Sequence, residues 1–317
     1  MSKVLTLTMN PALDLSTSID KVVHTDKLRC TAAKTQPGGG GINVARVLSR
    51  LNPNSAEACI AVYPVGGLTG QLLVQALKVE DVRSEPVPIS GETREAFSVH
   101  ETSSGKDFRF LLPGPTLIPA EWQACLNKLL NLTHTDDTVI ASGSLPPGVP
   151  DDFFAHLATA VKEKGARLVL DSSGVPLKLA LQTGVYLVKP SLRELEELAG
   201  QALETEAQWR SAAQLLLDAQ QAEIVAVSLG AEGALVATPT GIWRATAIPV
   251  NVVSTVGAGD NFVAGFVWAL RNQEPLEQCL SYAMASAAAA VMNQDSSLCD
   301  PESMHRLHLQ AHVTRLS

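Results

Sequence analysis

No apolar run in this 317-residue chain approaches the ~20 residues needed to span a bilayer, so no membrane partner is expected. The first residues, Met1-Ser2-Lys3-Val4-Leu5-Thr6-Leu7-Thr8, alternate like a strand and lack the apolar core and cleavage site of a signal peptide. Cysteine is sparse: five residues, at 30, 59, 125, 279 and 299, odd in number, scattered and without a CxxC spacing. That pattern gives no disulfide framework and predicts reduced thiols in a cytoplasmic protein. Positive charge is also short, 24 Lys and Arg against 32 Asp and Glu, a net charge of −8. A nucleic-acid surface is therefore disfavoured, and any phosphate-bearing ligand must be held by locally placed donors. The GxxxxGK[ST] string of a P-loop is missing. So is the third glycine of a dinucleotide fingerprint, which argues against an NAD(P) oxidoreductase. There is no internal repeat and no low-complexity linker.

What is present is the composition of a globular chain, 46% hydrophobic and 18% charged, long enough for a large α/β core. Apolar runs alternate with helical patterns. Strands are predicted at 3–9, 59–63, 138–142, 167–171, 185–189, 224–228, 234–237 and 242–248. Helices are predicted at 42–51, 69–79, 120–131, 151–164, 192–199, 206–219, 261–272 and 276–292. Leu168-Val169-Leu170 and Ile224-Val225-Ala226-Val227 are continuous apolar runs, as in strands covered on both faces. The expectation is an α/β fold over 1–317, a mainly parallel sheet flanked by helices on both sides. Residues 285–290, rich in alanine, suit close helix packing. Two stretches, 12–35 and 91–112, break the rhythm with strands and no helix between them. Residues 96–101 and 107–111 read as a hairpin around Ser103-Ser104-Gly105. A small antiparallel sheet inserted in the core, serving as a lid or a clasp between two subunits of a homodimer, accounts for them. Phe97 and Phe110 would otherwise lack cover. A plain edge hairpin is the alternative.

The chain is organised around Val253-Ser254-Thr255-Val256-Gly257-Ala258-Gly259-Asp260, a strand–glycine turn–helix sequence. Gly257, Ala258 and Gly259 place backbone N–H groups at the positive end of a helix dipole, an anion cradle. A carboxylate there needs a reason. Asp260 is either the helix cap or a general base for a hydroxyl attacking a phosphate. Near the N-terminus, Pro37-Gly38-Gly39-Gly40-Gly41-Ile42-Asn43 opens another helix. Such a run lets backbone approach a ligand closely, with Asn43 one turn in as donor and acceptor; a surface glycine turn is the alternative. Asn10-Pro11-Ala12-Leu13-Asp14 follows the first strand, at the carboxyl end where open α/β sheets bind ligands. Asp14 is a candidate acceptor for hydroxyls, or a turn residue. His305, His308 and His312 fall on one helical face. Without a matching Cys or carboxylate they read as a solvated face rather than a zinc site, and so does the run Glu194, Glu196, Glu197.

The GAGD string after a late strand, with the glycine-rich motif near the N-terminus, resembles the ribokinase (PfkB) family of sugar kinases over essentially the whole chain. The resemblance implies a ribokinase-like α/β fold, with ATP and Mg²⁺ at the active site. It makes Asp260 the catalytic base, Gly257, Ala258 and Gly259 its anion hole, and Asp14, Gly38, Gly39, Gly40 and Asn43 contacts to the acceptor sugar. Ser142-Gly143-Ser144-Leu145-Pro146-Pro147-Gly148 matches the phosphosugar kinases of the family, with Ser144 facing the sugar. Lys189-Pro190-Ser191-Leu192-Arg193-Glu194 matches the family's KPN-x-x-E region near Mg-ATP. Ser191 stands where Asn is usual, Lys189 is kept for phosphate, and Glu194 is kept for Mg²⁺ through water. Ser228, Gly230 and Gly233 match the nucleotide-side SLGxxGA turn. Ser254, Val256, Ala290, Asn293 and Ser297 occupy the places of an adenine and monovalent-cation (K⁺) pocket. The chain departs from the family there, with Asp295 and Ser297 where relatives often carry Gly and Arg.

Ser254-Thr255 before GAGD is as in the kinases of phosphorylated hexoses, and Lys27-Leu28-Arg29-Cys30-Thr31-Ala32, PGGGGINVAR and SGSLPPG together are most similar to the minor bacterial 6-phosphofructokinase branch. That implies ATP-dependent phosphorylation of fructose 6-phosphate at its C1 hydroxyl, a glycolytic reaction. 1-Phosphofructokinases, which carry a Lys inside the glycine run, and tagatose-6-phosphate kinases are the near alternatives. A non-catalytic sugar- or nucleotide-binding protein would keep the glycines but not need Asp260. For the substrate's own phosphate the lid offers Lys27, Arg29, Arg94 and Arg109. Arginines at the places of Arg94 and Arg109 lie near that phosphate in relatives. Arg109 alternates with Phe108 and Phe110 and so faces away from both.

Overall fold

The computed structural model describes residues 2–24, 27–52, 59–292 and 298–316. The chain begins β1 (Val4–Leu7), β2 (Ala12–Ile19), β3 (Lys34–Gly38), α1 (Gly40–Leu51), β4 (Cys59–Val65), α2 (Gly67–Val79) and β5 (Ser84–Pro88). It continues through β6 (Arg94–Glu101), β7 (Lys106–Leu111), α3 (Pro119–Leu132), β8 (Thr138–Ser142), α4 (Phe153–Glu163) and β9 (Arg167–Asp171). Then come α5 (Gly174–Thr183), β10 (Val185–Val188), α6 (Leu192–Ala199), α7 (Glu206–Asp218) and β11 (Ala222–Ser228). After a single 3₁₀ turn the chain ends β12 (Ala234–Thr238), β13 (Gly241–Ala245), α8 (Ala258–Arg271), α9 (Leu276–Val291), α10 (Pro301–His308) and β14 (Val313–Arg315).

Ten strands form one sheet in the order β14-β13-β12-β11-β10-β9-β8-β1-β4-β5. From β11 to β5 neighbouring strands run parallel, and β12 to β14 add an antiparallel edge. Successive residues of one strand point to opposite faces, and two cores result. Val4, Ile140 and Val169 join the core under α1, α8, α9 and α10, while Leu5, Val139, Leu168 and Leu170 join the core under α3 to α7. This is the expected parallel sheet covered on both sides. No helix among the described residues is long and apolar enough to cross a membrane.

Three elements escape the sequence reading: α5, β5 and the short closing strand β14. α5 begins with Gly174-Val175-Pro176, a turn-like string, yet Leu177, Ala180 and Leu181 recur at helical spacing and are buried. β5, Ser-Glu-Pro-Val-Pro, carries two prolines and is tolerated because it lies at the sheet's edge, where a missing N–H costs no ladder bond. The C-terminal histidines also differ from expectation. His312 lies beyond α10, and His308 is no solvated residue: its ring stacks on Tyr282 at 3.8 Å and its Nδ1 lies 2.7 Å from Ser281 Oγ. Burial and the neighbouring His305 lower the His308 pKa.

The second sheet has the order β3-β2-β6-β7. It is mixed rather than antiparallel, since β2 and β6 pair in parallel. The cause is their origin: β2 follows β1 and β6 follows β5, strands that share one direction in the main sheet, so both leave it the same way. The cross-strand register aligns Lys34, Ser16, Ser98 and Arg109 in one row on one face. On the other face it aligns Thr35, Leu15, Phe97 and Phe110. The sheet thus has a polar side, which turns toward the loop before α8, and an apolar side. On the apolar side Phe97 and Phe110 touch at 6.3 Å and remain 38% and 55% exposed.

Candidate active site

The carboxyl ends of β1, β8, β9 and β10 and the amino ends of α1 and α8 converge on Asp260. The capping alternative fails here. The residue capping α8 is Gly257, at φ 77°, no side chain caps the helix, and Asp260 lies in its first turn. Oδ2 accepts a hydrogen bond from Asn43 Nδ2 at 2.8 Å, and Oδ1 faces the Ser142 hydroxyl at 3.5 Å. Asn43 is accordingly buried, not a surface residue. The glycine run owes its composition to this crowding. A Cβ on Gly40 would strike the Ser142 side chain and come within 3.1 Å of Asp260 Oδ1, and one on Gly38 would strike the Asp14 carboxylate. The run therefore lies directly against both acids.

Burial pushes the Asp260 pKa up to about 7, the nearby Asp171 charge adds to the rise, and the Asn43, Lys189 and Ser142 contacts oppose it. Asp171 ends β9 and pairs with Lys189 Nζ at 3.1 Å. Burial works against the Lys189 ammonium, but Asp171, Glu194 and Asp260 face it and hold its pKa above the ordinary value. The ammonium lies 3.6 Å from where a Cβ of Gly259 would stand, so a fixed cation sits beside the amides that open α8. Those first-turn N–H groups have no carbonyl within the helix to bond. Together they make a corner of positive potential with a carboxyl group of near-neutral pKa at its mouth.

Asp14 is a strand residue of β2, not part of a turn, and pairs across to Gln36 and Ala96. Burial pushes its pKa up to about 6, against the opposing charges of Arg109, Arg46 and Arg94. Arg94 is half-buried, donating to the Leu112 and Asn10 carbonyls at 3.2 and 3.1 Å, and its Nε has no hydrogen-bond partner among the described residues. Burial lowers the Arg94 pKa and Asp14 opposes that. Ser144 Oγ accepts from Asn10 Nδ2 at 3.1 Å, which ties the SGSLPPG loop to the end of β1. A cavity opens between the polar face of the small sheet and the 253–256 loop, lined among others by Ser16, Lys34, Ser98, Arg109, Ser254 and Val256. Lys27 lies on the exposed chain between β2 and β3 and does not line it. Lys34, which the sequence reading passed over, does.

On the far side, Ser191 caps α6 and forms a reciprocal box with Glu194: the Ser191 N–H donates to Glu194 Oε2 at 2.7 Å. One Glu194 oxygen is thus committed and the other is available. Ser228 sits beside Ser191 in an isolated parallel bridge, and Gly230 opens the 3₁₀ turn that Gly233 closes, in the hairpin loop between the antiparallel strands β11 and β12. The Val253 and Ser254 amides both donate to the Val291 carbonyl, at 2.7 and 3.2 Å, which holds the loop to the end of α9 next to the fully buried Ala290. Asn293, Asp295 and Ser297 lie outside the described residues. Among the described residues no group of three or more His, Cys, Asp or Glu side chains forms a metal cage. Mg²⁺ characteristically keeps several waters and binds through one or two carboxylates plus substrate phosphates. Glu194, close enough to Asp171 and Lys189 to act on both electrostatically and with one oxygen outside the capping box, fits that mode.

Residues 7–303 match the pfkB family of carbohydrate kinases. The ATP-dependent 6-phosphofructokinase isozyme 2 of Mycobacterium tuberculosis is 42% identical over 304 residues, 96% of this chain and 88% of that protein. The 1-phosphofructokinase of Bacillus subtilis is 31% identical, over 99% of this chain and all of its own. Among solved structures, phosphofructokinase-2 from Escherichia coli in complex with potassium superposes with a TM-score of 0.92 at 35% identity, covering 98% of this chain and 99% of that one.

Proposed function

Because the chain belongs to the pfkB family of carbohydrate kinases, phosphotransferases acting on a sugar hydroxyl, we propose that it transfers the γ-phosphate of ATP to the C1 hydroxyl of fructose 6-phosphate, giving fructose 1,6-bisphosphate. The observation that carries this reading is the Asp260 carboxylate, held at a pKa of about 7 at the mouth of a corner of positive potential. A base poised near neutrality removes a hydroxyl proton most effectively.

In this mechanism Asp14, Asn43 and the Gly38 to Gly40 backbone orient the sugar, and Arg94 and Arg109 hold its phosphate. Asp260 takes the C1 proton as the oxygen attacks the γ-phosphorus in line, the bond to the β,γ-bridging oxygen breaks and ADP leaves. Charge on the transferring group is met by the Gly257 to Gly259 amides and by the Lys189 ammonium, so catalysis is positioning and electrostatics. Glu194 would hold Mg²⁺ through water, and the ion would supply neutralising charge to the nucleotide phosphates. Ser191, Ser228, Gly230 and Gly233 border the nucleotide, and the 253–256 loop with Ala290 would hold K⁺. The small sheet closes over the sugar and excludes water, which limits wasteful ATP hydrolysis. Its apolar side pairs with that of a second chain. A cytoplasmic setting agrees with five unpaired cysteines, four of them buried.

Turnover of ATP on fructose 6-phosphate, fructose 1-phosphate, tagatose 6-phosphate and fructose tests the assignment. The expected result is the highest kcat/KM on fructose 6-phosphate. A preference for either other hexose phosphate moves the substrate within the family, and no turnover on any would leave a binding protein.

A further inference from the structure

Arg46 has no part in the chemistry above, yet its side chain is only 2% exposed. A buried guanidinium must be paired to be tolerated. Glu80, at the end of α2, takes two of its nitrogens, Nε at 2.9 Å and Nη2 in a second bond. Nη1 is left to donate to the Pro37 carbonyl at 2.8 Å and to Asn43 Oδ1 at 3.4 Å. Asn43 is the residue whose other amide atom meets Asp260.

An asparagine amide presents an acceptor on one side and a donor on the other, and its neighbours decide which. Arginine has only donors. With Arg46 against it, the atom on that side must be Oδ1, and Nδ2 is then turned to Asp260 Oδ2. A flipped amide would set N–H against the guanidinium and oxygen against the carboxylate, two repulsive contacts. We propose that Arg46, clamped by Glu80, is a positioning residue that locks the Asn43 amide with its N–H toward the Asp260 carboxylate. This inference rests on Asp260 being the base.

The charged groups around the relay are few. Asp260 is faced by Asp171 and Lys189, with Asn43 and Ser142 as neutral partners. Arg46 is faced by Glu80 and, at longer range, by Asp14. Beyond Glu80 stands Arg50, at 3.2 Å and partly exposed. The Asn43 hydrogen bond favours the ionised form of Asp260. Losing it moves the Asp260 pKa up, so activity is lost mainly on the acid side and recovers where Asp260 is ionised anyway.

The test is kcat at saturating ATP and fructose 6-phosphate from pH 6 to pH 9, for wild type, Glu80→Gln, Arg46→Met and Arg50→Gln. In Glu80→Gln and Arg46→Met the acid limb should rise by ~0.5 pH unit or more, a loss of ~3-fold or more at the acid end that fades by pH 9. Arg50→Gln, which leaves the clamp intact, should keep the wild-type limb. If Arg46→Met does not fold, Glu80→Gln decides alone, because it keeps the guanidinium and only weakens its hold. An equal fractional loss at every pH, or an unmoved limb, overturns the positioning role while leaving Asp260 as the base. An Asp260→Asn enzyme that retains the wild-type limb would overturn both.

Discussion

Replacing Arg109 by alanine removes the cation at the end of the Lys34–Ser16–Ser98–Arg109 row without opening the core, because Arg109 is exposed on the edge strand β7. Two effects follow. A charge-assisted hydrogen bond is worth ~1.5–3 kcal/mol, so its loss raises KM for fructose 6-phosphate by ~10-fold or more. The second effect runs through Asp14. Burial sets its pKa at about 6, and Arg109 is the largest charge holding it down. Without Arg109 the Asp14 pKa rises further, and an acid with a raised pKa loses its ionised form as pH falls. The KM penalty should therefore be larger at pH 6 than at pH 8. Initial rates against fructose 6-phosphate at both pH values, at saturating ATP, measure it, with fructose as the unphosphorylated comparator. KM for ATP should change by less than ~2-fold, and the preference for fructose 6-phosphate over fructose should narrow. Arg109→Lys should recover part of the loss, since it restores the charge but not the fork. Arg94→Ala is the less clean experiment, because Arg94 also ties down the Leu112 and Asn10 carbonyls. An Arg109→Ala enzyme with unchanged KM and unchanged preference would refute the phosphate assignment.

Other perturbations have equally definite outcomes. The Asp260 pKa lies above its unfolded value, about 7 against 3.8, so the native state binds the proton more tightly and this residue costs stability as pH rises from 4 through 7. Asp260→Asn should consequently raise Tm at pH 8 by ~2 °C or more, and much less at pH 4; a lowered Tm at pH 8 would contradict the buried-acid reading. Phe97→Asp with Phe110→Asp should abolish self-association through the small sheet. Light scattering at micromolar concentration should show the wild type at two or more chains and the double variant at one; a monomeric, fully active wild type counts against the clasp. Gly40→Ala should cut kcat by ~10-fold or more through displacement of Ser142 and Asp260, with an unchanged rate as the refuting result.

The main sheet was legible because its strands are buried on both faces and write themselves as short apolar runs between helical periods, as at Leu168-Val169-Leu170. α5 and β5 were not, because Pro176 and the prolines of β5 carry a local signal that tertiary position overrides. The glycine turns pointed to the convergence at Asp260, since no helix start needs that many glycines. Asp171 and Arg46 stayed hidden for a different reason. A strand-end Asp and a helix Arg look ordinary in sequence, and only the fold brings one beside Lys189 and the other against Asn43. The end of β9, a ligand-binding position in an open α/β sheet, was the signal available for Asp171. The parallel pairing of β2 with β6 was likewise out of reach, because it depends on which main-sheet strands they leave.

The central claim is that Asp260 is the base for phosphoryl transfer to fructose 6-phosphate. The most direct measurement is kcat of Asp260→Asn at pH 8 with saturating ATP and fructose 6-phosphate, with the bisphosphate product followed by phosphorus NMR. Asparagine keeps the size of the side chain and cannot take the proton. The account predicts a fall in kcat of ~10²–10⁴-fold, with KM values for both substrates changed little. Near-normal formation of fructose 1,6-bisphosphate by Asp260→Asn would contradict it.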